Sequence, residues 1–121
     1  MATWDLRNSM NITSTPEPPE VDEFKLAGLE TEKSKLVKPP RIKRAPTHLE
    51  CLYHSTIELP SDIKGGRNAI CIGRVIGVHI RDEFLVDGKI DIARIRPLGR
   101  LGYNNYTVVD EVFSLHLPKQ G

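Results

Sequence analysis

Residues 68–91, NAICIGRVIGVHIRDEFLVDGKID, constrain the fold more than any other part of this 121-residue chain. Read with period two, Ile70, Ile72, Ile76, Val78 and Ile80 share one face, with Arg74 as the exception. Cys71, Gly73, Val75, Gly77, His79 and Arg81 share the other. Alternation this rich in β-branched residues predicts a long strand half-buried in a sheet. Glycine inside a strand marks a bend or the close approach of a backbone or ligand. The His79 face, with its two glycines, therefore fits either a barrel interior at a bend or the wall of a site. Beyond Asp82-Glu83 the chain turns back through residues 84–86, and Asp87-Gly88 is a hairpin signal.

A second alternating run, residues 48–59, puts Leu49, Cys51, Tyr53, Ile57 and Leu59 on one face, with Ser55 among them. His48, Glu50, His54, Thr56 and Glu58 lie on the other. Pro60 stops it, residues 61–68 (SDIKGGRN) form a loop, and an antiparallel hairpin of 48–59 with 70–81 follows. A lone hairpin is marginally stable in water, so residues 84–86 and 106–109 are expected to join it. Upstream, Thr3 or Asp5 caps a short helix through Met10, with Leu6 and Met10 on one side. The proline-rich residues 13–20 form a connection. A second helix starts at Pro19, pairs Val21 with Phe24, and stops at Gly28. Six basic side chains and no acid occupy residues 33–44, where Pro39 and Pro40 favour an extended backbone. A helical turn is expected at residues 92–96, and Val112, Phe113 and Leu115 should pack back on the sheet. The class is mainly β with short helices at the start. One domain of residues 1–121 is expected: a helical and loop lead-in (1–30), a basic extended segment (31–47) and antiparallel strands (48–117).

A net charge of +1 gives no global attraction to nucleic acid or to a membrane. No apolar run approaches the ~20 residues needed to span a bilayer. The N-terminus lacks the blocks of a signal peptide. Cys51 and Cys71 form no CxxC pair, so reduced thiols and a cytoplasmic location are expected. His48-x-x-Cys51-x-x-His54 is no metal site on a strand, because the histidines face away from the cysteine. There is no nucleophile elbow, P-loop or GxGxxG. The basic run reads either as solvated charge or as an anion site. It contains no aromatic on which bases would stack, which disfavours nucleic acid.

Four stretches resemble, in order, the flavin reductase-like family of FMN-binding split β-barrels. They are ATWDLRNSMNITS with PPEVDEFKLAGL (2–14, 18–29), VKPPRIKRAPTHLEC (37–51), ICIGRVIGVHI (70–80), and VDGKID with RPLGRLGYNNY (86–91, 96–106). Arg74 stands where the family more usually carries an acid. The resemblance covers the C-terminal portion of family members, so the chain is expected to be a truncated, partial split barrel with Greek-key-like antiparallel strands. It implies a homodimer, or association with a complementary barrel half, around FMN, with hydride passing from NAD(P)H through the flavin. No catalytic residue is implied, since the flavin carries the redox chemistry. Motif position offers Asn11, Thr13 and Ser14 as flavin-lining residues, Lys38 as a phosphate-side cation, and His79, Arg100 and Tyr106 from the later motifs. The alternative function is a non-catalytic remnant that dimerises or associates with a relative, and after it an anion- or nucleic-acid-binding barrel.

Overall fold

The computed structural model describes residues 1–118. A 3-10 turn at Trp4–Leu6 runs directly into α1 (Arg7–Ile12), and α2 (Glu23–Leu26) follows the proline-rich connection. Thr3 gives α1 no side-chain cap; it is buried, and its backbone bridges to Pro97. The first helix runs on past Met10 to Ile12. The second begins at an Asp22 cap, whose carboxylate accepts from Phe24 N, instead of at Pro19. Gly28 ends that region at φ +63°, the left-handed conformation that a glycine adopts without penalty.

The basic segment doubles back on itself. Strands β1 (Thr31–Glu32) and β2 (Arg41–Ile42) pair antiparallel, and the intervening loop doubles back between them. Ser34 Oγ donates to Pro39 O at 2.5 Å, and the Arg41 guanidinium donates to Lys33 O, so the loop is tied across its own base.

The long hairpin is present: β3 (Thr47–Leu59) pairs antiparallel with β4 (Asn68–Ile80). Its register shifts twice, between Glu50 and Cys51 and between Tyr53 and Ser55, leaving Ile76 and His54 without opposite partners. Each such bulge breaks strict period two. Val78, opposite Leu49, and Ile70, opposite Ile57, consequently lie on different faces. Residues 84–86 and 106–109 do not join this sheet. β5 (Leu85–Val86) pairs with β6 (Lys89–Ile90), and β7 (Leu98–Arg100) with β8 (Tyr106–Val108), each as its own two-stranded unit. The helical turn, α3 (Ile92–Ile95), is capped by Asp91 and closed by Arg96 at φ 55°.

The buried centre is small. It gathers Leu6, Ala45, Thr47 and Ile95 where the N-terminal segment meets residues 45–47 and α3. Backbone bonds Trp4 N to Arg96 O, Leu98 N to Ala2 O and Arg81 N to Pro46 O lace these segments together. The hairpin faces are bare: Leu49, Tyr53, Ile57, Ile70 and Val78 are all exposed. So are Val112, Phe113 and Leu115, which do not pack back on a strand. Among the described residues, no helix is long and apolar enough to cross a membrane.

Candidate functional site

The face of β3 that carries the polar alternation is the buried one at its start. Sequence alternation puts Glu50 on the polar face opposite Leu49, and it is 2% exposed while neighbouring Leu49 is 62% exposed. Its carboxylate accepts three hydrogen bonds: from Lys35 N (2.7 Å) and His79 Nε2 (2.6 Å) on Oε1, and from Leu36 N (2.6 Å) on Oε2. Gly77, directly opposite Glu50, leaves the room; a Cβ there would sit 2.9 Å from Leu36 Cδ1. One acid thus fastens the loop between β1 and β2 onto the end of the long hairpin and orients His79.

Burial alone would raise this carboxyl. The two backbone N–H groups and His79 outweigh it and hold the group down at about 2. Because ionised Glu50 only accepts, His79 Nε2 must carry the proton of their shared bond. His48 stands across the strand from His79, with ring centroids 6.3 Å apart. Burial lowers its pKa, against the raising effect of the 2.8 Å bond to the Ile42 carbonyl.

Two cavities flank β2, whose side chains alternate between them. Ile42 lines an apolar cavity of about 300 Å³ with Leu6, Met10, Thr13, Phe24 and Leu29. Arg41 and Lys43 line a polar groove of about 530 Å³ that also takes in Lys35, His48, His79, Arg81 and Glu32.

The residues offered by motif position are scattered over these elements. Thr13 lines the apolar cavity and also donates from Oγ1 to Met10 O (2.8 Å). Ser14 donates to Asn11 O (2.7 Å), so both hydroxyls serve the end of α1, and Asn11 is exposed. Lys38 is exposed in the loop between β1 and β2. Arg100 stacks over the Tyr106 ring at 4.6 Å across β7–β8 and donates to Tyr103 O. Arg100 and Tyr106 are thus brought together, as are His79 and the unanticipated Glu50; Lys38 lines neither cavity.

Residues 1–98 match the family model of the flavin reductase-like domain. The chain belongs to the flavin reductase-like family. Uncharacterised proteins of Halalkalibacterium halodurans and Aquifex aeolicus are 38% and 34% identical to it, over 91% and 88% of this chain. Those alignments cover 53% and 52% of the relatives, so the chain spans about half their length. Among solved structures, nitrilotriacetate monooxygenase component B from Bacillus cereus superposes with a TM-score of 0.85 at 27% identity, over 95% of this chain and 57% of that one. Flavoredoxin of Desulfovibrio vulgaris (Miyazaki F) shares the fold at a TM-score of 0.81 and 18% identity, over 98% of this chain and 61% of its own. The mainly β architecture is therefore that of the split-barrel flavin reductase-like proteins.

Proposed function

We propose that this chain is a flavin reductase-like oxidoreductase domain that holds FMN and passes hydride from NAD(P)H through it. The match over residues 1–98 carries this reading. The residues present fit such a group in kind. The apolar cavity offers Met10, Phe24, Leu29 and Ile42 to a flat aromatic ring, with the Thr13 hydroxyl at its edge. The cationic groove across β2 offers charge to a phosphate. Bound FMN supplies the two-electron carrier, while the chain supplies binding, orientation and electrostatics. Asn11, Ser14 and Lys38 line neither cavity, and Arg100 and Tyr106 lie on the separate β7–β8 hairpin; a complete pocket on this reading takes further walls from a second protomer or from a complementary set of strands.

Titrating the purified chain with FMN, while following the flavin absorbance band and fluorescence, tests this directly. Saturable spectral change, followed by NADH- or NADPH-dependent bleaching, is the expected result. An assembled, folded chain that leaves the flavin spectrum unchanged overturns it. In that event the bare faces of the β3–β4 hairpin favour a cofactor-free association module, and mixing with a full-length relative should then yield a stable complex.

A further inference from the structure

The far half of the long hairpin and the stretch after β8 are each one part of an incomplete sheet. Beyond the second bulge the ladder is regular. Ser55, Ile57 and Leu59 stand opposite Ile72, Ile70 and Asn68, and the pairs Thr56–Cys71 and Glu58–Ala69 alternate with them. Successive side chains of a strand point to opposite faces, so Ile57, Leu59, Ile70 and Ile72 share one face, and all four are exposed. The outer edge of β4 there, residues 68–72, has no strand beside it among the described residues. It carries neither charge nor proline, two devices that keep further strands from pairing with an edge.

Past Val109, whose N–H reaches the Pro97 carbonyl, residues 110–118 take part in no strand. Residues 113–117 nonetheless alternate as a strand does. Phe113, Leu115 and Leu117 are 84%, 88% and 93% exposed, with Ser114 and His116 between them. The run holds no acid, lysine or arginine and ends at Pro118. Its own hairpin lies badly for it. Pro97 bridges to Thr3, and the Met1 amine donates to Thr47 O, so the tail leaves the body beside the near end of β3. Ile57 is ten positions along β3 from Thr47, about 33 Å. The four steps from Val109 to Phe113 span about 14 Å when fully extended. A second copy is under no such limit. The chain exposes 10179 Å², about 3,600 Å² above a compact monomer of its mass. The roughly 800 Å² that each partner covers in a standard interface is thus available with every element left as it is.

We propose that residues 113–117 of one copy pair with the β4 edge at residues 68–72 of a second copy. The tail adds a third strand, on which Phe113, Leu115 and Leu117 extend the apolar face of Ile57, Leu59, Ile70 and Ile72. Reciprocal exchange closes a two-fold dimer and gives each hairpin the third strand that stability in water requires. The exchange rests on strand pairing and needs no bound flavin.

Cys71, a free thiol in this edge, lies off the apolar face and reports the pairing. In the full chain carrying Cys51→Ser, the substitutions Ser114→Cys and His116→Cys each put a thiol on the Cys71 side of the added strand. Opposed side chains of neighbouring strands lie at the Cβ separation that a disulfide bridges. Mild oxidation should give a disulfide-linked dimer with at least one of these two and none with Leu115→Cys, whose side chain takes the other face. Adding Cys71→Ser should abolish the link. A disulfide within one chain would mean that the tail returns to its own hairpin, and equal linkage at all three positions would mean chance collision. Either result overturns the proposal, as does no linkage at all. Phe113→Ser with Leu117→Ser, both at exposed positions of each copy, should weaken self-association in sedimentation by at least about a hundredfold. Unchanged association would place the contact elsewhere on the hairpin and overturn the exchange.

Discussion

A buried acid with three donors makes the stability of this chain depend on pH in a defined window. Glu50 titrates near 2 when folded, against an ordinary value of 4.5. A carboxyl lowered by folding contributes stability above the ordinary value and loses it as pH falls through the folded one. Stability should therefore drop between about pH 4.5 and 2. His48, lowered from 6.5 mainly by burial, acts earlier and with the same sign: the unfolded chain takes up its proton first, so stability is lost as pH falls below 6.5. Chemical denaturation at a series of pH values should show two descending limbs. Glu50→Gln should flatten the lower one and leave the upper, and His48→Gln the reverse. In Glu50→Gln, the Lys35 and Leu36 amides should also lose protection from hydrogen exchange at neutral pH. Unchanged protection would mean that the carboxylate does not hold the loop.

Among the elements, the Asp87-Gly88 turn carries a separable test. Asp87 sits at φ 51° and Gly88 at φ 73°, and a Cβ on Gly88 would meet nothing within 4 Å. Gly88→Ala therefore costs only the left-handed backbone penalty, about 1 kcal/mol. Because β5 and β6 have two residues each, the loss should appear as faster exchange at residues 85–90 and not across β3–β4. The turn was legible in sequence because its chemistry is local, as were the long hairpin and α3. The bulges at Ile76 and His54 were not, since they exist only in the register between two strands. For a related reason the alternation did not reveal that Glu50 is buried. Its burial depends on amides 14 and 15 residues upstream, at the tip of a loop read as extended. A signal was present all the same. In an antiparallel pairing, Glu50 falls opposite Gly77 and beside His79, an acid and a histidine meeting where a missing side chain makes room. Of the motif-derived residues, the separate hairpin of β7–β8 joined Arg100 to Tyr106, and nothing in the spacing tied either to Thr13.

At the scale of the molecule, exposed area decides what the chain needs. It presents 10179 Å² to solvent, whereas a compact monomer of this mass presents about 6,600 Å². The excess is several times the roughly 800 Å² that each partner contributes to a standard interface, so a single ordinary contact would not cover it. The uncovered area is apolar on both faces of the β3–β4 hairpin: Leu49 opposite Val78 on one, Ile57 opposite Ile70 on the other. Both outer edges of that hairpin also lack a strand neighbour among the described residues, which leaves backbone donors and acceptors ready for added strands. Such a ribbon is stable when it is enclosed and marginal when it is not. Sedimentation of the purified chain at micromolar concentration should show a dimer or larger species. Placing charge on one face through Leu49→Lys and Val78→Lys should dissociate it, because burying an unpaired ammonium is prohibitive whereas an exposed one stays hydrated. The freed chain should then bind hydrophobic dye and lose cooperative unfolding. A monodisperse monomer that unfolds cooperatively before and after the change would mean that these faces need no cover, and with that the case for a shared pocket would fall.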